Sequence, residues 1–123
     1  MVRAIARQLC SAVAYLKKYG ILHRNINPES IFLTGGEVSC QNSMAKEIKA
    51  PEIQLGNLSF STVLRPKEER SKLCGLASFM APEAFKFSSY AHPADMYSLG
   101  VSIYFIMTGG VPFFHKDIKR FYK

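Results

Sequence analysis

The pattern of apolar and polar positions predicts two long helices, one near each end of the chain. Residues 2–19 carry apolar side chains at helical spacing on one face, and Gly20 follows as a stop signal. Residues 94–108 are apolar on nearly every side, which is typical of a buried helix, with Pro93 near its start. The pattern therefore predicts one amphipathic helix and one helix buried all round, the latter ending at Gly109-Gly110.

Between the helices the pattern changes to short apolar runs separated by polar turns. Short runs of this kind favour small strands, predicted at Ile21-Leu22, 31–33 and 53–55, the first two flanking a loop. Turns and loops are predicted at Gly35-Gly36, 37–52 and 111–114, with no long element in 56–80 and the start of a further helix at 116–123. Together these elements predict a mainly α chain with short β-strands, in the α+β class.

Composition narrows the class of protein and of partner. The chain has 123 residues, at most one ordinary domain, with 48% apolar and 20% charged residues, so it can build a core. A net charge of +7 is compatible with a nucleic-acid partner. The basic residues are, however, spread along the chain and mixed with acidic ones, which is typical of a solvated surface. We therefore expect no nucleic acid as a partner. We see no signal peptide and expect no transmembrane segment, since the longest apolar run is too short.

Cysteines and histidines favour a reduced compartment and no metal site. The cysteine count is odd, without C-x-x-C spacing, so we expect free thiols and a cytoplasmic or nuclear protein. Neither residue type has metal-ligand spacing. The residues concerned are Cys10, Cys40, Cys74, His23, His92 and His115.

Four motifs follow one another in an order that carries a family resemblance. Residues 23–33 are H-R-N-I-N-P-E-S-I-F-L, and residues 53–59 are I-Q-L-G-N-L-S. Residues 74–83 end in A-P-E, and residues 94–101 are A-D-M-Y-S-L-G-V, followed by a turn at 109–114. In this order they resemble the catalytic loop, the strand into D-F-G, the end of the activation segment and the central large-lobe helix of serine/threonine protein kinases.

The resemblance covers nearly the whole chain but only part of a kinase domain. It implies that residues 1–123 form an incomplete large lobe, from the helix before the catalytic loop to the central helix. The glycine-rich loop and the V-A-I-K lysine belong to a small lobe that this sequence is expected to lack, together with the final helices.

Positions that carry chemistry in this family hold neutral residues here. The resemblance places Asn25 at the catalytic base, Asn27 at a lysine that contacts the transferred phosphate, and Ser30 at the metal-binding asparagine. Asn57 replaces the D-F-G aspartate. An amide cannot take a proton at neutral pH, and Mg²⁺ favours carboxylates. We therefore expect no cofactor, with ATP and Mg²⁺ bound only if a small lobe completes the chain.

Positions that support the loop are largely kept. The resemblance implies that His23 packs in an internal hydrophobic spine and that Leu58 fills the same spine in place of the D-F-G phenylalanine. It also implies that Asp95 accepts hydrogen bonds from the backbone of His23 and Arg24. Alternatively, as an acidic residue at the start of a helix, Asp95 would stabilise the helix through a favourable interaction with its dipole.

Contacts with phosphate and peptide are expected to be weakened. By resemblance, Arg24 would bind a phosphorylated activation loop, but Lys72 stands at the phosphosite. Leu76 replaces the threonine of a substrate-anchoring turn, and Phe105 stands where an acidic residue often recognises basic peptides. Glu83 of A-P-E would lack the arginine that it pairs with.

Three functions remain open. A pseudokinase-like module acting through a protein partner, or as a regulatory scaffold, would explain a kept frame with lost chemistry. A serine/threonine kinase with degenerate motifs is the enzymatic alternative. The third is a truncated remnant without an independent fold, whose apolar helix requires cover. The long segment at 37–52 is either a docking insert or tolerated surface chain.

Overall fold

Two helices of 17 residues each frame the part of the chain that the structure describes. The structure is a computed structural model that describes residues 1–35, 51–86 and 89–113. The α+β class is confirmed. The elements are α1 (Val2–Lys18), β1 (Ile21–Leu22), β2 (Ile31–Gly35), β3 (Glu52–Leu55), β4 (Thr62–Val63), α2 (Pro82–Lys86) and α3 (His92–Thr108), with 3₁₀ turns at Pro28–Ser30, Leu58–Phe60 and Ala77–Phe79.

α1 is amphipathic, as its spacing predicts. Leu9 and Val13 lie in its buried face. The chain leaves the helix through Gly20, whose φ of +68° is left-handed. A Cβ at this position would lie 2.9 Å from the carbonyl oxygen of Leu64, so the turn requires glycine both for its φ and for the close approach.

The strands form two separate antiparallel pairs. β1 pairs with β4, with Ile21 opposite Val63, and β2 pairs with β3, with Ile31 opposite Leu55. The two strands that flank the loop therefore pair with later segments and not with each other. This pairing brings the ends of the loop to the segments at 53–63.

The structure corrects one local prediction and adds two elements that the pattern does not predict. β2 continues to Gly35, which pairs with Glu52 across an irregularity in the register, so the turn predicted at Gly35-Gly36 is wrong at Gly35. β4 and α2 were not predicted, because runs of two and five residues are too short to show a period.

α3 begins two residues earlier than predicted and is less buried. It runs from His92 to Thr108 and is followed by the capping residue Gly109, whose φ is +76°. Leu99 is buried, whereas Tyr104 and Met107 are 45% and 66% exposed. The expectation of a helix buried on every side is therefore wrong for the described chain, in which α3 packs against α1 and the 3₁₀ turns at Pro28–Ser30 and Ala77–Phe79 but leaves these side chains uncovered.

Two buried apolar clusters hold the 23–30 loop between them. Leu22 at one end of the loop belongs to a cluster with Leu64, Ala81, Ala84, Tyr90 and Ala94. Ile26, inside the loop, belongs to a second cluster with Leu9, Val13 and Leu99 of the two long helices. The loop is thus fixed from both sides by hydrophobic packing.

Two predicted segments lie mostly or wholly outside the described residues. These are the insert at 37–52 and the helix start at 116–123. At the described end of the insert, Pro51 is buried and Glu52 already belongs to β3. Among the described helices, none has the length and apolar character needed to span a membrane.

Candidate functional site

The loop at 23–30 is braced by a carboxylate from α3. Asp95 Oδ2 accepts a hydrogen bond from the backbone N–H of His23 at 2.7 Å, and Oδ1 accepts one from that of Arg24 at 2.9 Å. Asp95 is 3% exposed. Burial raises the pKa of this carboxyl, and the two N–H donors oppose that rise. These are the contacts that the kinase resemblance implies for Asp95.

His23 links the loop to the end of β3. Its ring is fully buried, with Nε2 at 2.9 Å from the carbonyl oxygen of Gly56 and Nδ1 accepting from the N–H of Asn25 at 3.2 Å. This pattern places the ring proton on Nε2, which donates to Gly56. The N–H of Gly56 in turn donates to the carbonyl of Ser30 at 2.9 Å. Gly56, the residue that follows β3, therefore hydrogen-bonds to both ends of the loop.

The neutral side chains at the positions that the resemblance assigns to catalysis bond to the loop itself. Asn27 Nδ2 donates to Asn25 Oδ1 at 2.9 Å and to the Asn25 carbonyl at 3.0 Å, while Asn27 Oδ1 accepts from the N–H of Glu29 at 2.9 Å. Ser30 Oγ donates to the Asn25 carbonyl at 2.7 Å. All three side chains are buried, Ser30 completely. Their polar atoms are therefore occupied in shaping the loop.

Gly75 lies directly against the loop at Arg24 and Asn25. Its φ is +97°, and a Cβ there would lie 2.5 Å from the carbonyl oxygen of Arg24 and 3.2 Å from Asn25 Oδ1. Only glycine can approach this closely. Between the loop, the 74–81 segment and α3 remains a cavity of about 20 Å³, enough for one water molecule.

Arg24 and Tyr90 connect the loop to the segment before A-P-E. Arg24 Nε donates to the carbonyl oxygen of Phe60 at 2.6 Å. The Tyr90 hydroxyl donates to the Lys72 carbonyl and lies 3.7 Å from the Cys74 sulfur. Burial raises the pKa of Tyr90, which a hydrogen bond with Arg24 opposes. Arg24 therefore contacts neutral groups of the chain at the place where the resemblance implies a phosphate.

Sequence reasoning missed Tyr90 and the close contact of Gly75. Tyr90 is 6% exposed and also pairs with Arg70 through two backbone hydrogen bonds of 2.8 and 2.9 Å. In the sequence Tyr90 is a single aromatic residue shortly before α3, and such a residue does not by itself indicate a buried contact. Gly75 stood within a recognised motif, but only the fold shows what it approaches.

Asn57 and Leu58 lie at the surface. Asn57 has a left-handed backbone, with φ of +60°, a conformation that asparagine tolerates better than most residues. Leu58 follows in a 3₁₀ turn and is 52% exposed. Leu58 therefore does not fill an internal spine within the described residues, where its side chain is half exposed.

Glu83 lies in the first turn of α2. No basic side chain in the described ranges pairs with Glu83. The ion pair that these ranges contain joins Glu68 and Arg70 at 2.6 Å. Burial, and then the charge of Glu83, raise the pKa of Tyr97.

The described ranges show no candidate metal site. No group of three or more His, Cys, Asp or Glu side chains in these ranges has an arrangement that could hold a metal ion.

Comparison with known families identifies the family to which this braced loop belongs. Residues 1–123 match the family model described as protein kinase domain. The chain belongs to the protein kinase family.

Relatives of this chain carry the names of kinases. It is 32% identical over 120 residues to the phosphorylase b kinase gamma catalytic chain, liver/testis isoform, of Bos taurus, with 93% of this chain and 26% of the relative covered. It is 30% identical over 122 residues to sperm motility kinase 3A of Mus musculus, with coverage of 98% and 21%. It is 28% identical over 117 residues to serine/threonine-protein kinase atg1 of Schizosaccharomyces pombe, with coverage of 92% and 14%. The chain thus spans about a quarter or less of the length of these relatives.

Proposed function

We propose that this chain is a catalytically inactive, pseudokinase-like module that acts through a protein partner or as a regulatory scaffold. The observation that carries the proposal is the hydrogen bonding of Asn25, Asn27 and Ser30 within their own loop. Groups that are buried and bonded in this way stabilise the loop but are not free to act on a substrate.

Proton transfer is the first step that these residues would not support. In kinases an aspartate at the position of Asn25 accepts the proton of the substrate hydroxyl. The amide of Asn25 has no basic atom at neutral pH, and its oxygen already accepts from Asn27. Loss of a general base slows a reaction by roughly 10²–10⁴-fold.

The donor set also does not fit Mg²⁺, which prefers carboxylates together with substrate phosphates. The side chains at the two metal positions are neutral, namely Ser30 and Asn57, and the Ser30 hydroxyl points to the Asn25 carbonyl. Both oxygens of Asp95 accept from the backbone. Within the described residues no carboxylate hydrogen-bonds to these positions, so the residues present do not fit a site for ATP and Mg²⁺.

Two alternatives have observations in their favour. An active serine/threonine kinase is favoured by the kinase names of the relatives and by the retained Asp95 brace. A remnant that needs cover is favoured by the exposed apolar residues of α3, among them Tyr104 and Met107.

A nucleotide-binding and phosphate-transfer assay on the protein tests the proposal. We expect no saturable shift in the melting temperature with ATP and Mg²⁺, and no transfer of radiolabelled phosphate to a mixed peptide substrate. Saturable stabilisation would count against the proposal, and transfer abolished by Asn57→Ala would overturn it. The matched control is Gln54→Ala, which removes another exposed side-chain amide from the same segment and should leave any transfer unaltered.

Thermal melts followed by circular dichroism, together with hydrogen exchange of the backbone amides, separate the module from the remnant. A module unfolds in one cooperative transition with slowly exchanging amides in α3. A gradual melt with fast exchange throughout α3 would favour the remnant.

A further inference from the structure

A groove of about 470 Å³ lies away from the loop, on the surface where α1 ends and α3 begins. Its volume is in the range of ligand-binding clefts, roughly 300–1,000 Å³. Leu64, which is 7% exposed, and the half-buried Gly20 and Ala91 form its apolar part. None of the altered catalytic residues lines it.

Two distant segments bring four basic side chains to this groove. Lys17 and Lys18 end α1, and Arg65 and Lys67 lie in the turn after β4. All four are exposed. We call this surface the basic groove, defined by these four residues. The pairing of β1 with β4 sets their proximity, since it places the start of the turn beside the end of α1.

The acidic residues of the same surface are engaged by other groups. Glu68 pairs with Arg70 at 2.6 Å and accepts the N–H of Arg65 at 2.7 Å. These donors lower the pKa of Glu68, so it stays ionised and bound to them. Glu69 accepts a hydrogen bond from the Ser89 hydroxyl.

The lysines of the basic groove have no such partner. Within the described ranges, no carboxylate lies at ion-pair distance from Lys17, Lys18 or Lys67. Lys18 lies over the ring of Tyr19, with Nζ at 5.8 Å from the ring centroid. Positive charge is therefore available to an incoming anionic group.

We propose that the basic groove binds an acidic peptide segment of a protein partner; this names a surface for the proposed partner binding and rests on that function. Discrete carboxylates of a peptide can pair with the lysines while an apolar side chain contacts Leu64 and Ala91. A nucleic acid fits less well, because no Phe, Tyr or Trp ring is among the described residues that line the groove and because Glu68 and Glu69 interrupt the positive surface.

Fluorescence anisotropy with a labelled peptide tests the groove. The probe is a peptide of alternating Glu and Asp with a central Leu, titrated at low and at physiological ionic strength. We expect saturable binding that Lys17→Glu/Lys67→Glu weakens by about tenfold or more, since two pairs become repulsive. The control is Arg3→Glu/Lys86→Glu, which makes the same change of net charge at exposed residues outside the groove and should weaken binding less than about twofold.

Three outcomes would overturn the assignment. They are no saturable binding, equal weakening in both double variants, and tighter binding of a single-stranded oligonucleotide that the Lys17→Glu/Lys67→Glu variant loses. Thermal melts must first show that both variants fold like the parent.

The phosphate-transfer assay, run on the same samples, keeps this inference separate from the proposed function. Transfer together with groove-dependent peptide binding would refute inactivity and leave the groove intact. Absence of both would refute the groove and leave inactivity intact.

Discussion

Replacing Asp95 tests whether a single carboxylate holds the kinase-like loop in place. In Asp95→Ala, the N–H groups of His23 and Arg24 lose acceptors at 2.7 and 2.9 Å. A hydrogen bond to a charged group contributes about 1.5–3 kcal/mol, and a buried donor left unpaired costs about 1–3 kcal/mol. The Arg24 contact is only partly buried, so water can replace it.

The expected loss is smaller than the sum of two such bonds. Burial raises the pKa of Asp95, which means that the folded protein already bears a cost for the buried charge. We therefore expect Asp95→Ala to lower the free energy of unfolding by about 2–4 kcal/mol, a large share of the roughly 5–15 kcal/mol of a typical domain. Asp95→Asn keeps one acceptor oxygen and should cost about 1 kcal/mol.

The pH dependence follows from the same pKa. The folded pKa of Asp95 lies above the ordinary value of an aspartate, so the folded state binds this proton more tightly than the unfolded state. The contribution to stability is then fully present below the unfolded pKa and is lost as pH rises through the folded pKa. The stability difference between the parent and Asp95→Asn should accordingly shrink as pH rises above about 4.

Urea unfolding followed by circular dichroism measures these differences. The matched control is Ser98→Ala on the same helix, whose hydroxyl donates to the Ala94 carbonyl of its own helix at 3.1 Å and should cost less than about 0.5 kcal/mol. Amide exchange at His23 and Arg24 should accelerate in Asp95→Ala beyond the change in global stability. A loss below about 1 kcal/mol for Asp95→Ala, or one equal to that of the control, would refute the brace.

The other predictions concern the segment packed against the loop. Tyr90→Phe removes the hydrogen bond to the Lys72 carbonyl and should lower the free energy of unfolding in urea by about 1 kcal/mol. Tyr104→Phe, on the exposed side of α3, should leave this free energy unchanged, and equal effects of the two variants would contradict the role of Tyr90. Gly75→Ala, with φ of +97° and a Cβ 2.5 Å from a carbonyl oxygen, should cost at least about 2 kcal/mol. Gly100→Ala, in α3 with open space around it, should stabilise by about 0.5–1 kcal/mol, and a melting temperature that moves the same way in both glycine variants would contradict this account.

The long elements and the identities of the altered residues could be predicted from the sequence. A helix of 17 residues repeats its period several times, so α1 and α3 were found with small errors at their ends. Asn25 and Ser30 were found because the short motif around them keeps its order and spacing. β4 and α2 were missed because they are shorter than one period of a reliable pattern.

Side-chain direction at the site was harder to predict than residue identity. Leu58 was expected inside and lies half exposed, in a 3₁₀ turn that begins directly after the left-handed residue Asn57. That choice of backbone conformation depends on neighbours in space, which a local pattern does not contain.

The sequence by itself determined the family, the two helices and the neutral residues at the positions that the resemblance assigns to catalysis, because these depend on residue type and on short-range order. Only the tertiary structure decided what those residues do now. The hydrogen bond that the N–H of His23 donates to Asp95 joins positions 72 residues apart, and Lys17 and Lys18 meet the turn after β4 only once β1 and β4 pair. Contacts of this kind arise from packing of the whole chain around its two cores, and their partners cannot be read from either segment alone.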